Sequence, residues 1–401
     1  MFFFYIFVSI IIFFLLLPCM IVLLGLVSND PLLRKRVTKI ENYSYANIIT
    51  AYRNVEIAEP LVQSLIKQSY PNHHIYLVAD NADVSGWTLQ HPKFTLLHPE
   101  PALNLKVKSI IHATERLVEL HDYIVIWDAD NLAHPKFLEI MNTYASAGFE
   151  AIQGQRTAKN TDNKIAAADA LGEYYKNYIE RYLPPRIGSS AVISGSGMAV
   201  ETELYKSYLY GEAIQKGQYL WKKMMQEDKI LQNHIMRAGK RIVYAKDAIC
   251  YDEKVTSAEA VETQRSRWLY SYFQNFPNSS GFTLSGLFTL NWNKFLFGLI
   301  TVSPPLFILI GLSAILFLAG LFINPSISGV IFLADLVFVA TIFWSLHLSE
   351  APKAVFQSLN SLPQFAFRQF KGLFKMVNPN KNFKHSEHKV LVKVEDVLSE
   401  R

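Results

Sequence analysis

An α/β domain built on a mostly parallel sheet, carried by flanking transmembrane helices, is the fold class this sequence predicts. Three observations carry that reading. Met1–Asn29 and Phe295–Ala334 contain no charged residue or histidine, and each exceeds the roughly 20 apolar residues that cross a bilayer. Between about Tyr45 and Asn275, short apolar runs alternate with amphipathic helical patterns, as expected of buried parallel strands and their crossovers. Finally, 50% of the residues are hydrophobic and only 18% charged, which excludes a disordered chain and falls below the roughly 25% charge of soluble domains.

The elements follow in order. Residues 1–29 predict a retained transmembrane helix, Phe2 to Val27, because a cleaved signal peptide would show a basic start and a shorter apolar core. Arg34, Lys35, Arg36 and Lys39 sit in a juxtamembrane linker, 30–44. By the positive-inside rule they place the middle of the chain in the cytoplasm, at the inner (cytoplasmic) membrane. Within the domain expected at 45–275, Asn47–Ala51 reads as a strand and is followed by a helix through Leu61, Leu65 and Ile66. Ile75–Val78 forms the next strand and delivers Asp80. A helix through Val107, Ile110 and Ile111 leads to Tyr123–Trp127, which delivers Asp128. In such sheets ligands bind beyond the carboxyl ends of the strands.

A connection at 276–294 precedes two predicted membrane helices within 295–346, Phe295–Ile323 and Ile327–Leu346. They divide at Asn324-Pro325-Ser326, a turn signal without Lys or Arg. Asp335 lies inside the last span, where an acid is a functional candidate by default. From 351 to 378, Lys353, Arg368, Lys371 and Lys375 interleave with Phe356, Leu359, Phe370 and Phe374. This predicts an amphipathic helix on an anionic leaflet. Residues 379–401 read as a mobile tail.

The net charge of +5, from 39 basic and 34 acidic residues, clusters beside apolar segments, which points to a membrane surface and not to nucleic acid. Two cysteines, Cys19 and Cys250, exclude a disulfide framework and a multi-cysteine zinc site.

Asp128-Ala129-Asp130 sets two carboxylates just past a buried strand, where they can hold a hard cation against a diphosphate. Asp80 can accept from a base or ribose, and reads equally well as a turn residue. Gln226-Glu227-Asp228 opens a helix; acids there are ordinary dipole partners, or supply a general base. Gln264 and Arg267 share a helix face, where the Arg fork suits phosphate and Trp268 offers a flat surface to a sugar. A solvated basic helix near the membrane is the plainer reading, and Arg265 fits it. Gly195-Ser196-Gly197 alone is a weak signal.

In this order and spacing, Asp80, Asp128-Ala129-Asp130, Glu227-Asp228 and Gln264-Arg265-Ser266-Arg267-Trp268 carry a resemblance. Over about Tyr45–Phe273 the sequence resembles the membrane-bound family 2 glycosyltransferases of the cellulose, chitin and hyaluronan synthase type, a group that also includes ceramide glucosyltransferase. The resemblance implies a GT-A-like fold and a nucleotide-sugar donor, usually a UDP-sugar, used with Mg2+ or Mn2+. It implies that Asp80 contacts uridine with Tyr52 near the base, and that Asp128 and Asp130 hold diphosphate and metal, Asp130 most directly. Asp228 would be the catalytic base, and Gln264 and Arg267 would stabilise the leaving diphosphate. Trp268 and Gly195-Ser196-Gly197 would border the acceptor, while Gln153-Gly154-Gln155-Arg156 matches the strand after the metal motif.

Two motifs depart from the family pattern: Gln226 replaces the usual Thr before the two acids, and Asn104-Leu105-Lys106-Val107-Lys108 lacks the usual glycine. Inverting transfer to a growing surface polysaccharide is the first expectation. Only three spans are predicted, which calls for oligomerisation, a partner export protein, or a lipid acceptor receiving a single sugar. A non-catalytic nucleotide-binding membrane subunit is the reading from another class, and the intact acids argue against it.

Overall fold

The structure, a computed structural model, describes residues 1–31, 35, 37, 39–160, 164–220, 226–361 and 392–399. In chain order it begins with α1 (Phe2–Leu26), β1 (Tyr45–Tyr52), α2 (Glu59–Ile66), β2 (His73–Asp80), β3 (Phe94–Leu97) and α3 (Lys106–Thr114). Next come β4 (Tyr123–Asp128), β5 (Leu132–Ala133), α4 (Phe137–Ser146), β6 (Ala151–Ala158), α5 (Lys164–Lys176), β7 (Met198–Glu201), α6 (Thr202–Leu209) and α7 (Glu212–Leu220). Then follow α8 (Glu227–Arg237), β8 (Ile242–Asp252), α9 (Ala258–Phe288), α10 (Trp292–Val302), α11 (Leu306–Ile323), α12 (Pro325–Leu348) and α13 (Val394–Ser399). The chain divides into two compact units, one of residues 31–160, 190–254 and 377–401, the other of residues 1–30, 161–189 and 255–376.

The first unit holds an eight-stranded sheet in the order β3-β2-β1-β4-β7-β6-β8-β5. β1 pairs in parallel with β2 and β4, β2 with β3, and β6 with β8, whereas β7 runs antiparallel to both its neighbours and β5 antiparallel to β8. All eight residues of β2 are buried, as a strand covered on both faces requires. One face packs Ile49, Leu77 and Trp127 against Leu61 and Leu65 of α2 and Phe137 of α4; each such fully buried side chain contributes roughly 1.5–3 kcal/mol. Two polar groups in this core are satisfied internally: the Trp127 indole N–H donates to Asn47 Oδ1 at 3.0 Å, and Asn47 Nδ2 donates to the His74 carbonyl. The register brings Tyr52 opposite Asp80 and Thr50 opposite Asp128, so three strand ends share one edge.

The second unit is helical. α1, α11 and α12 are long and apolar enough to cross a membrane, and α1 packs on both of the others. At the α11–α12 contact Gly320 abuts Ser328, whose hydroxyl donates to the Phe317 carbonyl. Ser313 Oγ lies 2.8 and 2.7 Å from the two carboxylate oxygens of Asp335, so the acid inside the last span has a partner on the neighbouring helix.

Several expectations change. Phe295–Ile323 is not one helix. It breaks at Ser303-Pro304-Pro305 into α10 and α11, because proline removes a backbone donor and drives the preceding residue extended. The connection expected at 276–294 is mostly helix, the second half of the 31-residue α9. Residues 164–189 and 255–275, expected within the sheet domain, group with the apolar helices. Of the amphipathic helix expected at 351–378, a short helix Lys353–Gln357 and a turn through Ser361 are described; 362–378 lie outside the described residues. The expected tail is ordered at 392–399, where Val394 and Val397 pack on Leu132 and Tyr251, and Glu395 pairs with Lys67.

Candidate functional site

Beyond the ends of β1, β2 and β4, the side chains singled out from the sequence meet a lysine that was not. Asp80 is 2% exposed, and its two carboxylate oxygens accept the backbone N–H groups of Leu103 and Asn104, each at 2.7 Å. The turn reading of Asp80 is thus present in the structure: it organises the loop that opens α3 and lies at that helix's positive end. Tyr52 joins the same loop, its hydroxyl donating to Asn104 Oδ1 at 2.8 Å, and Asn81 Nδ2 reaches that hydroxyl at 3.4 Å. Arg53, Asn81 and Asn104 all have positive φ, so three tight reversals crowd around the two strand ends.

The loop aims Lys106 across the strand ends. Its ammonium lies 2.7 Å from Asp128 Oδ1, 3.4 Å from the Gly195 carbonyl and 3.6 Å from Glu227 Oε1. Burial presses the ammonium pKa down, but Asp128 and Glu227 outweigh it and hold it above the ordinary lysine range. The Glu227 carboxyl moves the other way: burial pushes it up to about 7, Lys106 pulls it back and the neighbouring Asp228 adds to the rise. One lysine therefore joins the end of β4, the 194–197 loop and the first turn of α8.

Asp128 and Asp130 occupy a turn closed by Asn131, whose side-chain oxygen accepts the Asp128 N–H while its own N–H returns to the Asp128 carbonyl. Asp130 is half-buried; its carbonyl accepts Lys159 Nζ at 2.9 Å and its Oδ2 the Glu253 N–H at 3.4 Å. Behind it Lys159 pairs with Glu253, Arg156 with Asp252, and Lys254 with Asp252, all on the ends of β6 and β8. Among the described residues no group of three or more His, Cys, Asp or Glu gathers as a closed metal cage. Mg2+ and Mn2+ favour hard oxygen ligands, and Mg2+ takes one or two carboxylates completed by phosphate and water, a donor set that Asp128 and Asp130 can supply.

Gly195-Ser196-Gly197 forms a loop with positive φ at both glycines. Gln153 holds it: the side-chain nitrogen donates to the Ser196 and Gly197 carbonyls at 3.1 and 3.2 Å, and the side-chain oxygen accepts the Ser194 N–H. Beside Gln153, Gly154 lets the strands close, since a Cβ there would lie 2.7 Å from the Ala248 carbonyl oxygen and 2.8 Å from that of Gly197. A Cβ on Gly195 would lie 3.7 Å from that of Asp228, so the loop abuts the start of α8. Asp228 is partly exposed, with Lys229 Nζ 3.7 Å from its Oδ2.

Gln264, Arg267 and Trp268 belong to the helical unit, on α9. Trp268 is 41% exposed, with the Arg265 guanidinium 4.2 Å and the Lys176 ammonium 5.3 Å from its ring centre. Arg265 is not a solvated surface charge: it pairs with the buried Asp169 of α5. Burial lowers the Arg267 guanidinium pKa. Lys106, Gln153 and Glu227 are the site residues that motif reasoning undervalued. The signal for Lys106 was its place in Asn104-Leu105-Lys106-Val107-Lys108, at the start of a helix, where the family pattern has a segment rich in Gly and Lys.

A family model described as glycosyltransferase like family 2 matches residues 43–271. Among solved structures, mannosyltransferase PcManGT from Pyrobaculum calidifontis, in complex with GDP-Man and Mn2+, matches with a TM-score of 0.55 and 14% identity over 92% of this chain and 99% of its own. S. aureus TarS 1–349 in complex with UDP-GlcNAc matches at a TM-score of 0.37 and 12% identity over 53% of this chain and 59% of its own, too slight a likeness to carry an argument. No curated protein sequence matches.

Proposed function

The chain belongs to glycosyltransferase family 2, and from that premise we propose that it transfers a sugar, with inversion, from a nucleoside-diphosphate sugar to a lipid acceptor at the membrane. The observation that carries the reading is the convergence on Lys106: the carboxylate of Asp128, the 194–197 loop and the acid-bearing first turn of α8 meet at one edge of the sheet.

In this reading the Tyr52 and Asp80 loop receives the base and ribose, with a UDP-sugar as the first donor to test. Asp128 and Asp130 hold the diphosphate end, and Asp130 is the principal ligand for Mg2+ or Mn2+. A bound divalent ion supplies charge neutralisation on the diphosphate. Asp228 takes the proton of an acceptor hydroxyl, whose oxygen attacks the anomeric carbon. The bond from that carbon to the diphosphate oxygen breaks on the opposite face, and the nucleoside diphosphate leaves. Gln264 and Arg267 receive the departing negative charge, and Trp268 with Gly195-Ser196-Gly197 borders the acceptor.

The direct packing of α1 on α11 and α12 supports a lipid acceptor over a secreted polymer, since three helices packed on one another serve as an anchor. The test uses the full chain in lipid nanodiscs with labelled UDP-sugars, GDP-mannose as the comparison donor, and Mn2+. Label in the lipid extract supports the reading, and label in an aqueous high-mass polymer replaces it with polysaccharide synthesis. Asp228→Asn is expected to lower turnover by roughly 10²–10⁴-fold with donor binding retained; near-normal turnover would remove Asp228 as the base.

A further inference from the structure

The hairpin of α9 and α10 lacks the polar outer face of a water-soluble helix pair. Along α9, Asn275 and Ser279 are 7% and 1% exposed and bonded to each other at 3.1 Å one turn apart, and Thr283 Oγ1 donates to the Ser279 carbonyl, so these buried polar groups are satisfied within the helix. Where the helices meet, two glycines let the backbones approach and Phe282 of α9 packs edge-on against the buried Phe297 of α10. A Cβ on Gly286 would strike the backbone of Phe295, and one on Gly298 that of Thr283. The outer surface is apolar. Leu284 and Leu287 are 55% and 53% exposed, Phe288 81%, Leu290 91% and Trp292 47%. Small residues at the helix contact, polar side chains satisfied within their own helix and apolar side chains outside suit helices packed in lipid. From Trp268 to Asn293 there is no charged residue or histidine, and Lys294 is the only one before Asp335.

The turn follows the same rule. Leu290 has φ 51°, a left-handed conformation where Gly or Asn is usual, yet it presents a leucine outward. The N–H groups of Thr289, Leu290 and Asn291 all find carbonyl acceptors, in Ser285, Leu287 and Gly286. Such internal satisfaction is what a lipid environment demands.

The hairpin spans the ends of two membrane-crossing helices. At its tip, Trp292 Nε1 donates to the Ile187 carbonyl at 2.7 Å and Ser189 Oγ to that of Asn293. Residues 183–189 are tied in turn to the end of α1: Arg186 donates to the Ser28 carbonyl at 2.7 Å and pairs with Asp30, and Leu183 packs on Gly25. At the other end, the Tyr272 hydroxyl donates to the Val302 carbonyl, just before the prolines that open α11. The hairpin thus runs along one face of the membrane, from the carboxyl end of α1 to the amino end of α11.

We propose that the α9–α10 hairpin is a monotopic membrane insertion. Leu284, Leu287, Phe288 and Leu290 enter the acyl boundary of that leaflet, with Trp292 and Lys294 at headgroup level, as interfacial helices and aromatic belts do. Its occupant is the bilayer itself, continuous with the lipid around α1, α11 and α12.

The test places single nitroxide labels at Phe288→Cys and Leu290→Cys in the full chain, reconstituted in phosphatidylcholine–phosphatidylglycerol vesicles. Collision with oxygen is compared with collision with a water-soluble nickel chelate, and the chain without an added cysteine measures background labelling. Leu333→Cys on α12 is the lipid-facing reference and Leu120→Cys, at a site 93% exposed, the aqueous one. An oxygen-to-nickel ratio at 288 and 290 about tenfold above that at 120, approaching that at 333, is the expected result. Nickel access equal to that at 120 overturns the proposal, and so does low access to both reagents with spin–spin broadening, which would mean that a second copy covers the stripe. Should either variant fail to fold, Leu284→Cys reads the same surface.

Discussion

Glu227→Gln isolates one titration at the centre of the candidate site. The Glu227 carboxyl, ordinarily near 4.5, stands at about 7 because burial outweighs the attraction of Lys106. A carboxyl raised in this way binds its proton more tightly in the folded chain than in the unfolded one. Its contribution is therefore intact below about 4.5 and is lost as pH climbs to about 7. At about 1.4 kcal/mol per pH unit, that interval amounts to roughly 3 kcal/mol. Glutamine carries the same shape and no titration, so the variant is expected to gain on the parent chain as pH rises.

The comparison has to be a difference, because other buried groups titrate in the opposite sense. Burial depresses His73 and His121 to about 4, so their contribution is restored as pH rises toward the unfolded value of about 6.5. Both chains carry them, and subtraction removes them. Thermal midpoints in detergent between pH 4.5 and 8 serve as the assay. At roughly 2–4 °C per kcal/mol for a domain of this size, the variant's midpoint should rise by roughly 6–12 °C relative to the parent. Parallel curves would refute the raised carboxyl. A relative fall would show that pairing with Lys106 outweighs burial, and that the folded carboxyl lies below its ordinary value.

Lys106→Met removes the ammonium shared by Asp128 and Glu227 and should destabilise the sheet unit by about 2–4 kcal/mol at pH 8; because Glu227 is protonated at pH 5, a smaller loss is expected there. Gly154→Ala drives a Cβ against two carbonyl oxygens and the Phe137 ring, and a loss of about 1–3 kcal/mol is expected, read from the same melts. Asp130→Asn should cut turnover by about 10²-fold or more and raise the Mn2+ concentration needed for half-maximal activity; unchanged metal dependence would move the metal site elsewhere.

The parts of the site that were legible in the sequence are those a strand end delivers by itself. Asp80 and Asp128 follow short continuous apolar runs, and the end of such a buried strand places them without knowledge of any partner. The roles of Lys106 and Gln153 were not legible in this way. Lys106 acts on Asp128, Gly195 and Glu227, and Gln153 on Ser194, Ser196 and Gly197, all far away in the chain. Such pairings arise only once β6, β7 and α8 are assembled. Asp80 shows the complementary difficulty: its position was readable, but its commitment to the Leu103 and Asn104 amides depends on how a loop folds back.

The helical unit exposes a different limit, one of environment and not of distance. Periodicity reasoning assumes that the polar face of a helix meets water, so residues 276–294, without such a face, read as a connection. On the membrane reading proposed above the assignment reverses: Gly286 and Gly298 bring the two helices together and the exposed apolar side chains face lipid. The reversal has a consequence for chemistry, because α9 is continuous. Gln264, Arg267 and Trp268 lie at one end and the apolar stripe at the other. Pro277 interrupts the hydrogen-bond ladder between the two halves, so the half bearing the apolar stripe and the half bearing Arg267 need not share one axis.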